Sequence, residues 1–347
     1  MDTATLDSLF ETITDLVMCH SPSGAEQEVN AYVLDRLAAL DVEHWRDEAD
    51  NIIARIPGQA EAGGVAITAH KDEIGGLVKG ISANGRVDIR RLGGSFPWVY
   101  GEGVVDLLGD RATISGILSF GSRHVSHESP QKIQQEGRAV LWENAWVETK
   151  CSPEALAKAG IRPGTRMVVG KHRKRPFRMG DYIASYTLDN KASVAILLAL
   201  AERLKSAPVP IDLVFSAKEE VGAVGALYFS QRHTLSALIA LEICPLAREY
   251  PIQDGDMPVL LAEDSYGLYD DDLNQQISRA ASQRQIPIQI AAIQGFGSDG
   301  SIAMKFGHVA KAACLGFPTQ NTHGYEIAHL GAIAHCIEIL AQYCNDL

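Results

Sequence analysis

Three short apolar runs, each leading into charged residues, constrain this chain more than any other feature. GGVAITAH at 63–70 runs into Lys71 and Asp72, IDLVFSA at 211–217 runs into Lys218, Glu219 and Glu220, and ALIALEI at 237–243 carries Glu242 near its end. Short apolar runs bounded by Gly or Pro read as buried strands. Helical periodicity at about 191–204 and 222–230 separates the second and third runs from what precedes them, and βαβ alternation of this kind builds a parallel sheet. His70 and the acidic residues then fall at strand ends, where open α/β sheets place their chemistry.

Flanking segments extend the pattern. Residues 4–19 place Leu6, Leu9, Phe10, Ile13, Leu16 and Val17 at helical spacing, SPSGAEQEV at 21–29 reads as a loop restarting a helix near Gly24, and NIIARIPG at 51–58 reads as a strand. The tail predicts helices at about 270–284, 299–306 and from 328 on, with strands at 286–293 and 309–315. From about Lys71 to Gly180 the texture differs, with short Val/Ile runs, many glycines and one short helix, SPEALAKAG at 152–160, that has an N-cap and a Gly stop. The expected organisation is a discontinuous catalytic α/β domain, 1–71 and 179–347, interrupted by a β-rich module at 72–178.

Charge narrows the partners. A formal net charge of −12 over 347 residues argues against nucleic acid, whose phosphates require a concentrated basic field. The one basic run, Lys171 to Arg175, reads as a solvated turn. Six Cys show no zinc-knuckle spacing and read as buried hydrophobes or thiols in a reducing compartment. With no basic n-region and no long apolar span, the expectation is a cytoplasmic protein without membrane contact.

The chemistry lies in TAHKDEIG at 68–75, SYTLDNKAS at 185–193, AKEEVG at 217–222 and FPTQNTHGYE at 317–326. Asp72 is placed to orient the His70 imidazole and raise its basicity as a ligand. Asp189, before a helix, reads either as an N-cap or as a carboxylate bridging two cations. Adjacent Glu219 and Glu220 repel unless cations compensate, which gives Glu220 to a metal and leaves Glu219 as general base. Glu242 needs a partner for its buried charge, and His323, in a loop where Pro318 and Gly324 disfavour strand or helix, completes two His, one bridging Asp and two Glu. That mixture suits two divalent ions, zinc first, with cobalt or manganese as the other choices, acting on an amide bond. His124 and His127 are a weaker ligand pair, Asp299 reads as an N-cap, and His329 and His335 fall on the last helix. GFGSDGS at 295–301 lacks the spacing of a nucleotide loop.

These segments, together with SPSG at 21–24, GIRPGT at 160–165 and GSDGS at 297–301, resemble the M42 metallo-aminopeptidases, the glutamyl and tetrahedral aminopeptidase group. The resemblance implies His70 and His323 as terminal metal ligands, Asp189 as bridge, Glu220 and Glu242 as ligands, Glu219 as base and Asp72 as the partner of His70. It also implies a PDZ-like β domain that builds dimers, often assembled into hollow dodecamers, and short peptides as substrates. Three departures stand out. Glu242 replaces the usual Asp; Gln320 and Asn321 stand where the family loop has Arg and Tyr; and DMPVLLAEDSYGLYDDD at 256–272 replaces a Gly-rich segment, so that Asp264, Asp270, Asp271 and Asp272 would make the approach acidic if they face it. An amidohydrolase needing no free α-amine stays open as the alternative, as do a silent scaffold and a glycosidase using the paired carboxylates.

Overall fold

Apolar runs with both faces covered require helices above and below the sheet, and the computed structural model, which describes residues 3–60, 63–124 and 129–347, has them. The chain divides into two compact units, Met1–Asp72 with Pro176–Leu347, and Glu73–Arg175. His127 lies outside the described residues.

In the first unit a mixed sheet runs in the order Glu43–Arg46, Ile52–Ile56, Ile211–Ser216, Val65–His70, Ala237–Pro245, Ala312–Gln320, Tyr325–His329, Tyr182–Tyr186 and Phe177–Met179. The four strands from Ile211–Ser216 to Ala312–Gln320 are parallel and almost wholly buried. Successive side chains of a strand point to opposite faces, so Leu238 and Ala240 join one apolar cluster while Ile239, Leu241 and Ile243 join the other. The larger cluster is built with the helices Thr3–Met18, Gln27–Ala39, Leu188–Arg203, Asp271–Gln283 and Leu330–Asp346; the smaller takes Phe229 and Ala303 from Val224–Arg232 and Asp299–Lys305.

Register sets the ends of the parallel strands level. His70 pairs with Ser216, and Ala240 with Thr68, so two residues on Glu242 comes level with His70. Gly316 is opposite Glu242, and a Cβ there would lie 2.3 Å from the Glu242 carbonyl oxygen. Only glycine permits that approach of backbone to backbone.

The second unit is a closed antiparallel barrel of Gly75–Ile81, Val87–Leu92, Trp146–Glu148, Thr113–Ser119, Gly103–Leu108 and Arg166–Val169. Closure removes the unpaired edges that an isolated small sheet would present. Its short helix Pro153–Ala159 is capped by Ser152, which accepts from the Ala155 N–H, and stops at Gly160 with φ 83°. The basic run is not a solvated turn. Lys171–Lys174 forms a helical turn, Arg173 donates to the carbonyls of Val104 and Tyr100, and fully buried Lys174 pairs with Glu73 at 2.6 Å. Among the described residues no helix is long and apolar enough to cross a membrane.

Several boundaries differ from expectation. Pro318 lies inside the strand Ala312–Gln320, where its missing N–H is tolerated in the last residues of the ladder. His329 is the N-cap of the final helix, accepting from the Gly331 N–H at 2.9 Å. Ser298, and not Asp299, caps the helix Asp299–Lys305.

Candidate active site and metal centre

His70, at the end of its strand, Glu219 and Glu220, in the turn after Ile211–Ser216, and Glu242, near the end of the next strand, come together with Asp189 and His323. Asp189 sits where Leu188–Arg203 departs from helical geometry at its second and third residues, after Thr187 in the left-handed region. The helix cap is Thr187, with no side-chain capping bond, and the Asp189 carboxylate faces the histidines. His323 stands in the turn between Ala312–Gln320 and Tyr325–His329 with φ 62°, closed by the Gly324 N–H donating to the Asn321 carbonyl.

Asp189 has one oxygen for each histidine. Its Oδ1 is 3.1 Å from His70 Nε2, and its Oδ2 is 3.4 Å from His323 Nε2. On the His70 side, Glu219 Oε2 and Glu242 Oε2 lie 3.8 and 3.9 Å from the same Nε2; on the other side, Glu220 Oε1 is 3.8 Å from His323 Nε2. The site is therefore two half-sites sharing one carboxylate. The His70 half is closed, with that side chain 2% exposed, whereas His323 is 38% exposed and marks the open edge.

Asp72 contacts more than His70. The His70 Nδ1 lies nearer the Asp72 carbonyl, at 3.1 Å, than its carboxylate, at 3.5 Å, and the carboxylate accepts from Ser23 Oγ and from the N–H groups of Glu219 and Glu220. The early SPSG segment is thus tied directly to the site. Glu326, which no sequence pattern singled out, is buried and accepts the N–H of Asp189 on one oxygen and of His323 on the other, both at 2.9 Å. Its only sequence signal is an acidic residue three positions after His323, on a strand whose burial alternates.

Burial pushes the carboxyls of Glu219 and Glu242 well above their ordinary range; His70 opposes this, while neighbouring acids reinforce it. Glu220 rises to about 7 and Glu326 to about 8, again chiefly through burial. Burial alone would lower the histidines, yet Asp189 and its neighbours raise His70 well above its usual value and His323 to about 10. Asp72 is held low: burial pushes it up, but His70, Ser23 and the Glu219 N–H outweigh that effect. Buried carboxylates that hold protons lack positive charge. The donor set fits divalent cations, since one ligand atom each from His70, Asp189 and Glu220 lies within 4.8 Å of the others, and imidazole with carboxylate suits such ions.

The metal-free protein should consequently lose stability as pH rises. Glu220, Glu326 and His323 keep protons up to about 7, 8 and 10, whereas the unfolded values are 4.5, 4.5 and 6.5. Between those limits the folded state binds more protons than the unfolded one, so each contribution is full below the unfolded value and lost through the folded one. Thermal unfolding of chelator-treated protein should give a lower Tm at pH 9 than at pH 6, and divalent metal should shrink the difference by replacing those protons. A Tm that is flat or rising over this window would contradict the charge assignment.

Asp264, Asp270, Asp271 and Asp272 of the 256–272 segment do not form a mouth. Asp264 is buried, accepting from Tyr269 Oη at 2.5 Å and the Tyr266 N–H at 2.8 Å, and Asp270 caps Asp271–Gln283 through the Leu273 N–H. Asp271 and Asp272 occupy the first turn of that helix, where negative charge complements its dipole.

The sequence profile of the M42 glutamyl aminopeptidase family matches residues 50–339. The chain belongs to this family. M42 enzymes are metal-dependent aminopeptidases, and this M42 protein is accordingly a hydrolase of peptide bonds. It is similar to YhfE of Bacillus subtilis (25% identity, 97% of each chain) and to the lysyl aminopeptidase of Pyrococcus furiosus (22% identity, 97% of each chain). Its fold is shared with the TET1 peptidase of Pyrococcus horikoshii, which can assemble into a tetrahedron or a large octahedral shell (TM-score 0.87, 21% identity, 98% and 100% covered). An aminopeptidase of Desulfurococcus kamchatkensis has the same fold (TM-score 0.87, 21% identity, 99% and 96% covered).

Proposed function

We propose that this M42 aminopeptidase works with two divalent ions, zinc first among them, and removes N-terminal residues from short peptides. His70, Asp189 and Glu242 would hold one ion; Asp189, Glu220 and His323 would hold the other. The observation that carries this reading is the Asp189 carboxylate, with one oxygen toward each histidine. When bound, the ions supply electrophilic polarisation of the scissile carbonyl and lower the pKa of the attacking water.

The residues do the rest. Glu219, against the His70 half and raised by burial, takes the proton of the attacking water and passes it to the leaving amine. Asp72 fixes the imidazole of His70 and the turn bearing both glutamates, and Glu326 holds the backbones of Asp189 and His323. In Glu242 the side chain reaches one methylene farther than the Asp usual here, and Gly316 admits its backbone close to the neighbouring strand. The barrel at Glu73–Arg175 is the candidate for the PDZ-like dimerisation module, and a cytoplasmic dodecamer is the proposed assembly, as PhTET1, a structural relative, forms a dodecamer.

Matched free-amine and N-acetylated dipeptides, offered to protein reconstituted with zinc, cobalt or manganese, test the proposal. Cleavage confined to free amines is expected. Turnover of capped substrates would move the activity to a broader amidohydrolase.

A further inference from the structure

The turn carrying Glu219 and Glu220 is held by its backbone from outside. Four successive N–H groups are each accepted by a side chain: Ala217 by Asn51 Oδ1 at 3.0 Å, Lys218 by Glu26 Oε1 at 3.2 Å, and Glu219 and Glu220 by the two oxygens of Asp72 at 2.9 and 3.3 Å. Lys218 has φ 58°, a conformation uncommon for a side-chain-bearing residue and kept only where surroundings impose it. This turn also makes consecutive glutamates diverge. Glu219 faces His70 and Glu220 faces His323.

Glu26 stands at the N-cap position of Gln27–Ala39 yet makes no side-chain cap there. Its Oε1 accepts from the Gly24 and Lys218 N–H groups, and its Oε2 accepts from the Lys71 ammonium. Glu26 and Lys71 are both fully buried, and Asp50 lies 3.9 Å from Lys71. A buried ion pair is weak grounds for stability, because a well-packed apolar pair often serves as well. An apolar pair cannot accept the Lys218 N–H.

We propose that Glu26 is a positioning residue for peptide hydrolysis: supported by Lys71, it holds Lys218 in its left-handed conformation and thereby aims Glu219 into the His70 half-site. The proposal rests on the reading of Glu219 as base and Glu220 as ligand. Loss of the hold displaces the base by a fraction of an ångström to an ångström, which costs about tenfold to a hundredfold in rate.

The test uses the full chain, reconstituted with zinc, in three variants assayed on a free-amine dipeptide with bound zinc counted per subunit. Glu26→Leu with Lys71→Met removes both charges and the acceptor; it is expected to stay folded and metal-replete with unchanged KM and kcat lowered by about tenfold or more. Glu26→Gln keeps an oxygen for the Lys218 N–H and is expected to hold kcat within about threefold even where its Tm falls. Full kcat in the double variant overturns the proposal. So does loss of zinc in step with kcat, or a folded Glu26→Gln enzyme slowed by about tenfold or more against the unmutated enzyme, a comparison that stands even if the double variant does not fold. Glu219→Gln run alongside separates the two claims: retained kcat there would remove the base assignment, whatever the Glu26 variants do.

Discussion

Glu219→Gln should lower kcat by about 10²- to 10⁴-fold while leaving both the fold and the bound metal in place. Gln preserves the length and the backbone N–H that Asp72 Oδ1 accepts at 2.9 Å, so the turn keeps its anchor. What it loses is the ability to carry a proton from water to the leaving amine. The carboxyl is suited to that task because burial raises it and Glu220 and Asp299 add to the rise, although His70 pulls the other way. The effect should fall on kcat and kcat/KM alike, since proton transfer is made in the transition state and not in binding. A variant with unchanged kcat would falsify the assignment and direct attention to Asp299, whose carboxyl is raised to about 6 at the same centre.

The second large effect is expected at Asp189. With one oxygen 3.1 Å from His70 Nε2 and the other 3.4 Å from His323 Nε2, this carboxylate is the element common to both half-sites. Asn has the same shape, but its amide nitrogen is a donor with no lone pair for a cation. Asp189→Asn should therefore drop bound zinc from the two ions per subunit proposed above toward one or none, with activity down by about a thousandfold, the several kcal/mol that metal polarisation contributes. Metal analysis after dialysis, beside kinetics with zinc in excess, decides the matter. Two tightly held ions in the variant would mean that the half-sites do not share Asp189.

Why the site was legible in the sequence can be traced to particular residues. His70, Glu219, Glu220 and Glu242 each follow or end an apolar run, and strand periodicity alone locates such ends; parallel register then brings His70 level with Ser216 and, two residues past the Ala240 pairing, with Glu242. Asp189 and His323 lacked that cue. Both sit in irregular backbone, with Thr187 at φ 66° before the first and His323 itself at φ 62°, so the resemblance of their local segments to a family supplied what periodicity could not. The acidic segment at 256–272 misled because composition counts carboxylates without showing their engagements. Asp264 is bound to two tyrosines, and Asp270 caps a helix.

Apolar periodicity in the sequence by itself determined the α/β alternation, the interposed β-rich segment and the kinds of side chain available for metal and base chemistry, because those depend on neighbours a few residues apart. Only the tertiary structure decided which oxygen of Asp189 meets which histidine, that Glu326 accepts from two backbones, and that Glu26 and Asp72 accept the N–H groups of the turn carrying Glu219 and Glu220. Those pairings join residues separated by 137 positions for Asp189 and Glu326 and 192 for Glu26 and Lys218. At such separations a contact is fixed by strand register and by the demand that every buried donor find an acceptor, and neither is written in any local pattern.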